Sequence, residues 1–278
     1  MKIRHIPFGI LLLMTLSSEA QNISSSFTSS VSETDRLTLV RSSIPLTDWH
    51  EKSFWPQYND YRESIHNLSL QTYQSLDNLG RSTRNTPNAF EIGTEMITNR
   101  LNELAVRKQS YTGISRDHNG IVALKFLQTE FTFDLVESSR VYDETPLKNY
   151  RFRSASLSSA QYNTVKYNLL SKALALSPQE AVVFFPLYTR YEEERMNTMG
   201  AEYDLYGQFA GDASDLTPGL AKHQGANLLM LMEREIRLKE KYFNEINASI
   251  GPTVATRFLA WEDYFSVGCK LNVWAAEQ

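Results

Sequence analysis

Two glutamates in apolar company, Glu130 in LQTEFTF and Glu262 in LAWEDYF, are the side chains whose setting most invites chemistry. A carboxylate on an apolar helix face pairs most simply with an arginine or lysine of a neighbouring helix; general-acid work would need a second carboxylate in the same cleft. Metal binding would need clustered ligands. His50, His66, His118 and His223 are instead spread one to each predicted region, with no H-x-x-x-H pair, and Asp117-His118 is the adjacent set beside a turn. Nucleophilic hydrolysis finds no nucleophile elbow and no Cys-His setting, since the single Cys269 falls in a helix tail. No glycine-rich phosphate loop is present either. The chain is therefore read as non-enzymatic, with no catalytic residue, no metal and no cofactor.

The aromatic residues carry more information. Leu46 to Ser64 reads LTDWHEKSFWPQYNDYRES, and 130 residues later Leu176 to Glu194 reads LSPQEAVVFFPLYTRYEEE. Phe54, Tyr58 and Tyr61 fall at helical spacing, as do Phe184, Tyr188 and Tyr191, so each copy lays an aromatic stripe along one helix face, flanked by Trp55 and Phe185. Such a stripe is either core or a client-binding surface. A second match follows at a spacing of 132: residues 93–133 and 225–265 share nine identities, among them Gly93/Gly225, Glu103/Glu235, Phe126/Phe258 and Glu130/Glu262. Self-similarity of this length implies one helical unit present twice.

The elements that must position these residues follow from their caps and breaks. A short helix is predicted from Glu33 to Arg41. Thr47 can cap the first long helix, and Ser177-Pro178-Gln179-Glu180 supplies a fuller signal, with a hydroxyl cap, proline at the first helical position and glutamate at the third. Pro56 and Pro186 lie inside these helices and predict a bend at the same place in each. Thr86-Pro87 and Thr217-Pro218 predict capped starts for second long helices over about 87–115 and 218–247, carrying Glu103 before Arg107 and Glu235 before Lys239. Asn119-Gly120 and Gly251-Pro252 mark the last turns before the helices bearing Glu130 and Glu262. The expected fold is all-α: two tandem repeats of a bent helical hairpin of about four helices each, related by a pseudo-twofold and cradle-like, over 33–142 and 159–278 with a linker at 143–158.

Before the first repeat, Lys2, Arg4 and His5 precede the apolar run Ile6–Leu16, and Ser18-Glu19-Ala20 offers a cleavage site, so residues 1–20 read as a secretory signal peptide. Residues 21–32 read as a flexible serine-rich leader. Loss of Lys2, Arg4 and Glu19 from 28 basic and 32 acidic residues leaves 26 and 31, a formal charge of −5, which argues against nucleic acid as partner. At 42% apolar and 22% charged the composition is that of a globular chain. No later stretch is apolar for long enough to span a bilayer, so after cleavage the protein is not expected to be integral to the membrane.

The run KYNLLSKALALSPQEAVVFFPLYTRYEEE, followed by a long charged helix and YFNEINASIGPTVATRFLAWEDYF, resembles the secreted Spy/CpxP-like helical proteins with LTxxQ motifs. The resemblance covers most of 165–278, and 39–137 through the repeat. The motif's Leu-Thr falls on Leu46-Thr47 and on Leu176-Ser177, and its fifth position on His50 and Glu180. In that family the motif begins a helix and locks a bent hairpin, and two protomers form a shallow cradle. The resemblance implies a periplasmic or otherwise secreted, ATP-independent chaperone or envelope-stress adaptor that holds unfolded or envelope proteins, with one chain acting as a pseudo-dimer. A sensor subunit bound to one defined envelope partner, metal-responsive in some relatives, is the competing expectation.

Overall fold

The computed structural model describes residues 33–80, 86–144, 167–168, 170–209 and 216–263. The expected signal peptide (1–20) and leader (21–32), most of the linker (143–158), the breaks at Arg81-Ser82 and at 211–214, and Cys269 lie outside the described residues. Every regular element among the described residues is helical: α1 (Glu33–Ser43), α2 (Asp48–Gly80), α3 (Ala89–Asp117), α4 (Gly120–Glu144), α5 (167–168 and 170–173), α6 (Pro178–Phe209), α7 (Pro218–Ser249) and α8 (252–263). No described helix is long and apolar enough to cross a membrane.

Local chemistry accounts for the helix starts. At α6 the Ser177 hydroxyl accepts the Glu180 amide at 3.2 Å while the Glu180 carboxylate accepts the Ser177 amide at 2.6 Å, a closed capping box. At α2 the box is altered: Thr47 Oγ1 meets His50 Nδ1 at 3.1 Å, and the Thr47 carbonyl accepts the Glu51 amide at 3.0 Å. Thr217 Oγ1 caps α7 by accepting the Leu220 amide at 3.2 Å, and Asn119 Oδ1 caps α4 by accepting from Ile121 and Val122 at 2.9 and 3.0 Å.

The expected cap at Thr86-Pro87 is corrected. Pro87 and Asn88 form a turn, Asn88 takes φ 60°, and α3 opens at Ala89 with the Asn88 carbonyl accepting the Ile92 amide. Asparagine tolerates the left-handed region better than most residues, so the chain turns once more before the helix begins. Proline after threonine fits that turn as well as a first helical position, which is why the sequence signal misleads here. The linker boundary also shifts, since α4 runs to Glu144 and absorbs its first two residues. Helices α2 and α6 continue through Pro56 and Pro186, both exposed, where the missing amide leaves the carbonyls of Lys52 and Val182 without their usual partners.

The described chain gathers into two compact units that are not the two sequence copies. Unit 1 takes residues up to 63, 104–131 and 196–234; unit 2 takes 64–103, 132–195 and 235 onward. Helices α2, α3, α4, α6 and α7 each give one part to each unit. Within unit 1, α1, the front of α2 and the front of α4 pack with the back of α3 and the front of α7. Within unit 2, α5, the front of α6 and α8 pack with the back of α7 and the front of α3, around Phe184, Tyr188, Tyr191, Tyr242, Phe243 and Phe258.

Close approaches between α3 and α7 fix both arrangements. In unit 2 Gly93 lies against the Phe243 ring and Thr256 Oγ1, so that a β-carbon there would overlap them, and Phe90 stacks on Phe243 with centroids 5.7 Å apart. In unit 1 Gly225 lies likewise against the Tyr111 ring, whose hydroxyl donates to the Lys222 carbonyl at 2.7 Å. Glycine permits these helices to meet at ring distance; alanine would not.

Candidate functional site

The aromatic stripes are core. Phe54, Tyr58 and Tyr61 in unit 1, and Phe184, Tyr188 and Tyr191 in unit 2, are buried, while Trp55 and Phe185 are half-buried beside them. Burial recurs position by position: residues 51–67 and 181–197 carry the same sequence of buried, half-buried and exposed positions, and so do 121–131 and 253–263. Ring geometry recurs too. Phe54 stacks on Tyr58 at 5.8 Å and 15°, and Phe184 on Tyr188 at 5.5 Å and 18°, while Phe126 and Phe258 meet Tyr61 and Tyr191 edge-on at 4.9 and 5.1 Å.

Each stripe ends on a buried carboxylate. The Tyr58 hydroxyl donates to Glu130 Oε1 at 2.8 Å, and the Tyr188 hydroxyl to Glu262 Oε1 at 2.8 Å. Around Glu130 the buried Arg36 approaches to 3.4 Å and Arg62 to 3.6 Å, so with Tyr58 three side chains from α1 and α2 converge on one carboxylate of α4. Glu262 keeps the tyrosine, but its Oε2 has no hydrogen-bond partner among the described residues. The expected pairing with a cation is thus present at Glu130. At Glu262, position 62 of the first copy is matched by Glu192, and the neighbouring Arg195 is the buried cation. Burial foremost, then the adjacent carboxylate charge, pushes the Tyr58 and Tyr188 phenols well above their ordinary range, and the same two causes act on Tyr191. Tyr58 and Tyr188 are held as neutral donors.

A second polar cluster was not legible in the sequence. In unit 2 Asp263 accepts Lys239 at 2.9 Å and Arg100 at 3.2 Å; Lys239 also lies 3.4 Å from Glu235, and Arg100 3.0 Å from Glu103. Burial pushes the Asp263 carboxyl up, yet the Lys239 and Arg100 charges and hydrogen bonds together outweigh it and hold the group below the usual carboxylate range. The expected pair Glu235/Lys239 forms, whereas Glu103 takes Arg100 from one turn earlier.

Of the motif residues, Leu176 packs on the unit 2 core and Leu46 is half-buried. Ala175 before it stands at φ 51° and closes α5: the Leu176 amide reaches the Ser171 carbonyl and the Ala175 amide the Lys172 carbonyl, a Schellman closure with alanine where glycine is usual.

Outward, several large apolar side chains are exposed among polar ones. In unit 1 these are Trp49 (80%), Met196 (60%), Met230 (58%) and Leu220; in unit 2, Val182 (76%), Val183, Leu70 and Phe90. Trp49 lies between exposed Asp48 and Lys52, and the valines follow exposed Gln179. Val182 and Val183 are on the helix that buries Phe184 and Tyr188 on its other side, so these residues, and not the stripes, are the apolar surface offered to solvent.

The structure also joins two histidines. His50 and His118, 68 residues apart in the chain, meet edge-on in unit 1 with ring centroids at 5.0 Å, and Phe54 lies 6.0 Å from His118. The available hint was that His50 precedes Phe54 by four residues and so extends the stripe by a turn. His66 and His223 are exposed elsewhere, the latter 3.2 Å from the Asn227 amide. No group of three or more histidine, cysteine, aspartate or glutamate residues gathers in metal-binding range among the described residues. Compared with known proteins, the chain matches no family model, no curated protein and no solved structure.

Proposed function

We propose that the protein is a non-enzymatic binding protein of an exported compartment, an ATP-independent holding chaperone or envelope-stress adaptor of the kind its Spy/CpxP-like motifs suggest. The observation that carries this reading is the outer apolar set, Trp49, Met196, Met230, Val182 and Val183, exposed among charged and polar neighbours. Apolar contacts scattered among charges bind extended clients weakly and release them, as holding without an energy source requires. The recurrence of burial and ring geometry at 130–132 residue spacing supports a second element: the copies arose by duplication, and because each compact unit draws helices from both, one chain stands in for a dimer. The test is suppression of aggregation of several unrelated unfolded proteins at near-stoichiometric ratios. Protection of all of them supports the reading; protection of none, with capture of one partner in a pull-down, replaces it with the sensor-subunit alternative.

A further inference from the structure

The His50–His118 contact does nothing for client binding as proposed above, yet its geometry is unusual for a merely structural pair. His118 opens the α3–α4 turn and is half-buried, and both its ring nitrogens are inaccessible with no hydrogen-bond partner among the described residues. A neutral imidazole carries one N–H, so one buried donor is left without a partner, on a ring that lies edge-to-face with the His50 and Phe54 rings. His50 sits in the first turn of α2, where its Nδ1 is engaged by Thr47.

Charged side chains lie on each element beside the pair, and of these Asp117 acts on His118. From α2 come Asp48 and Glu51 of the first turn, and from α3 Arg116 and Asp117. Asp117 is itself held by Arg116 at 2.6 Å and by the Gln57 amide at 3.0 Å. From α7, whose Pro218 and Lys222 backbone closes on Gly120, comes Lys222. In copy two the corresponding positions are Glu180 and Ile250, so the pair belongs to unit 1 alone.

We propose that the His50–His118 contact is an acid-sensitive latch: with both imidazoles neutral it seats the first turn of α2 on the α3–α4 turn, and protonation of the pair frees that turn and uncovers Phe54. Two imidazoliums at this separation repel, and the buried ring of His118 has no acceptor waiting for a second N–H. Burial first, and then the His50 charge, set the His118 imidazole below its ordinary value against the smaller opposing pull of Asp117. A histidine with a depressed folded value contributes stability that is present above the unfolded value near 6.5 and is lost as pH falls through the folded one.

The experiment uses the full mature chain, with imidazole titration by NMR and hydrogen exchange of the 51–54 amides between pH 8 and 5, corrected for intrinsic exchange; these are the amides of that turn bonded into the helix, beginning with Glu51 to the Thr47 carbonyl. His118 is expected to titrate below the ordinary histidine value of 6.5, protection at 51–54 to fall about tenfold on going to the acid end, and His118→Phe to remove that fall. A His118 midpoint at or above that ordinary value, or equal protection at both ends, or the same loss in His118→Phe, overturns the latch. If His118→Phe does not fold, the wild-type titration and exchange decide the matter by themselves.

Discussion

Tyr188 offers the sharpest mutational test of whether the aromatic stripes are interior, because two substitutions at the one position separate hydroxyl from ring. Its hydroxyl donates to Glu262 at 2.8 Å in a site closed to solvent, while its ring stacks on Phe184 and meets Phe258 edge-on. Tyr188→Phe keeps the ring and removes a hydrogen bond to a charged acceptor, a loss of about 1.5–3 kcal/mol. Dividing about 2 kcal/mol by a urea slope of about 2 kcal/mol/M gives a midpoint lowered by about 1 M at unchanged slope. Tyr188→Ser removes the ring as well, and large-to-small aromatic changes cost about 3–5 kcal/mol more. The sum approaches the whole stability of an ordinary domain, about 5–15 kcal/mol, so the serine variant should be largely unfolded by circular dichroism. Were the stripe a surface, both variants would lie within about 0.5 kcal/mol of wild type. Equal, small midpoint shifts for the two would refute the assignment of these tyrosines to the core.

Other expectations follow from single contacts. Gly93→Ala places a β-carbon into the Phe243 ring and should lower stability by about 1–3 kcal/mol, measured by thermal unfolding, with Gly225→Ala behaving alike against Tyr111. Ser177→Ala opens the capping box and should cost about 1 kcal/mol, while Ala175→Gly relieves a positive φ and should be neutral or stabilising by up to about 1 kcal/mol. Asp263 is depressed by Lys239 and Arg100, so its contribution is present above the unfolded carboxylate value and lost as pH falls through the folded one. Asp263→Asn should therefore flatten the acid limb of the stability–pH curve; an acid limb identical to wild type would show that the ion pairs carry no linkage.

What the sequence made legible was local. Ser177-Pro178-Gln179-Glu180 names a helix start because the cap, the proline and the glutamate each satisfy an amide or a dihedral within four residues. The stripes followed from helical spacing, but spacing alone says which side chains share a face, not whether that face meets protein or solvent. For the same reason Met96, Ile97, Leu104 and Tyr111 mark α3 as amphipathic without revealing that its front and back serve different units. Partner choice there rests on Gly93 against Phe243 and Gly225 against Tyr111, contacts over a hundred residues apart in the chain. The cluster of Arg100, Lys239 and Asp263 and the pair His50–His118 were hidden likewise, since each is assembled by packing and neither follows a spacing rule.

The proposed holding role is tested most directly by replacing the outer apolar set and leaving the core alone. A Trp49→Ser, Val182→Ser, Val183→Ser, Met196→Ser, Met230→Ser protein should keep wild-type helicity and unfolding midpoint while losing most of its ability to keep unrelated unfolded proteins from aggregating. Undiminished protection by that folded variant would contradict the account.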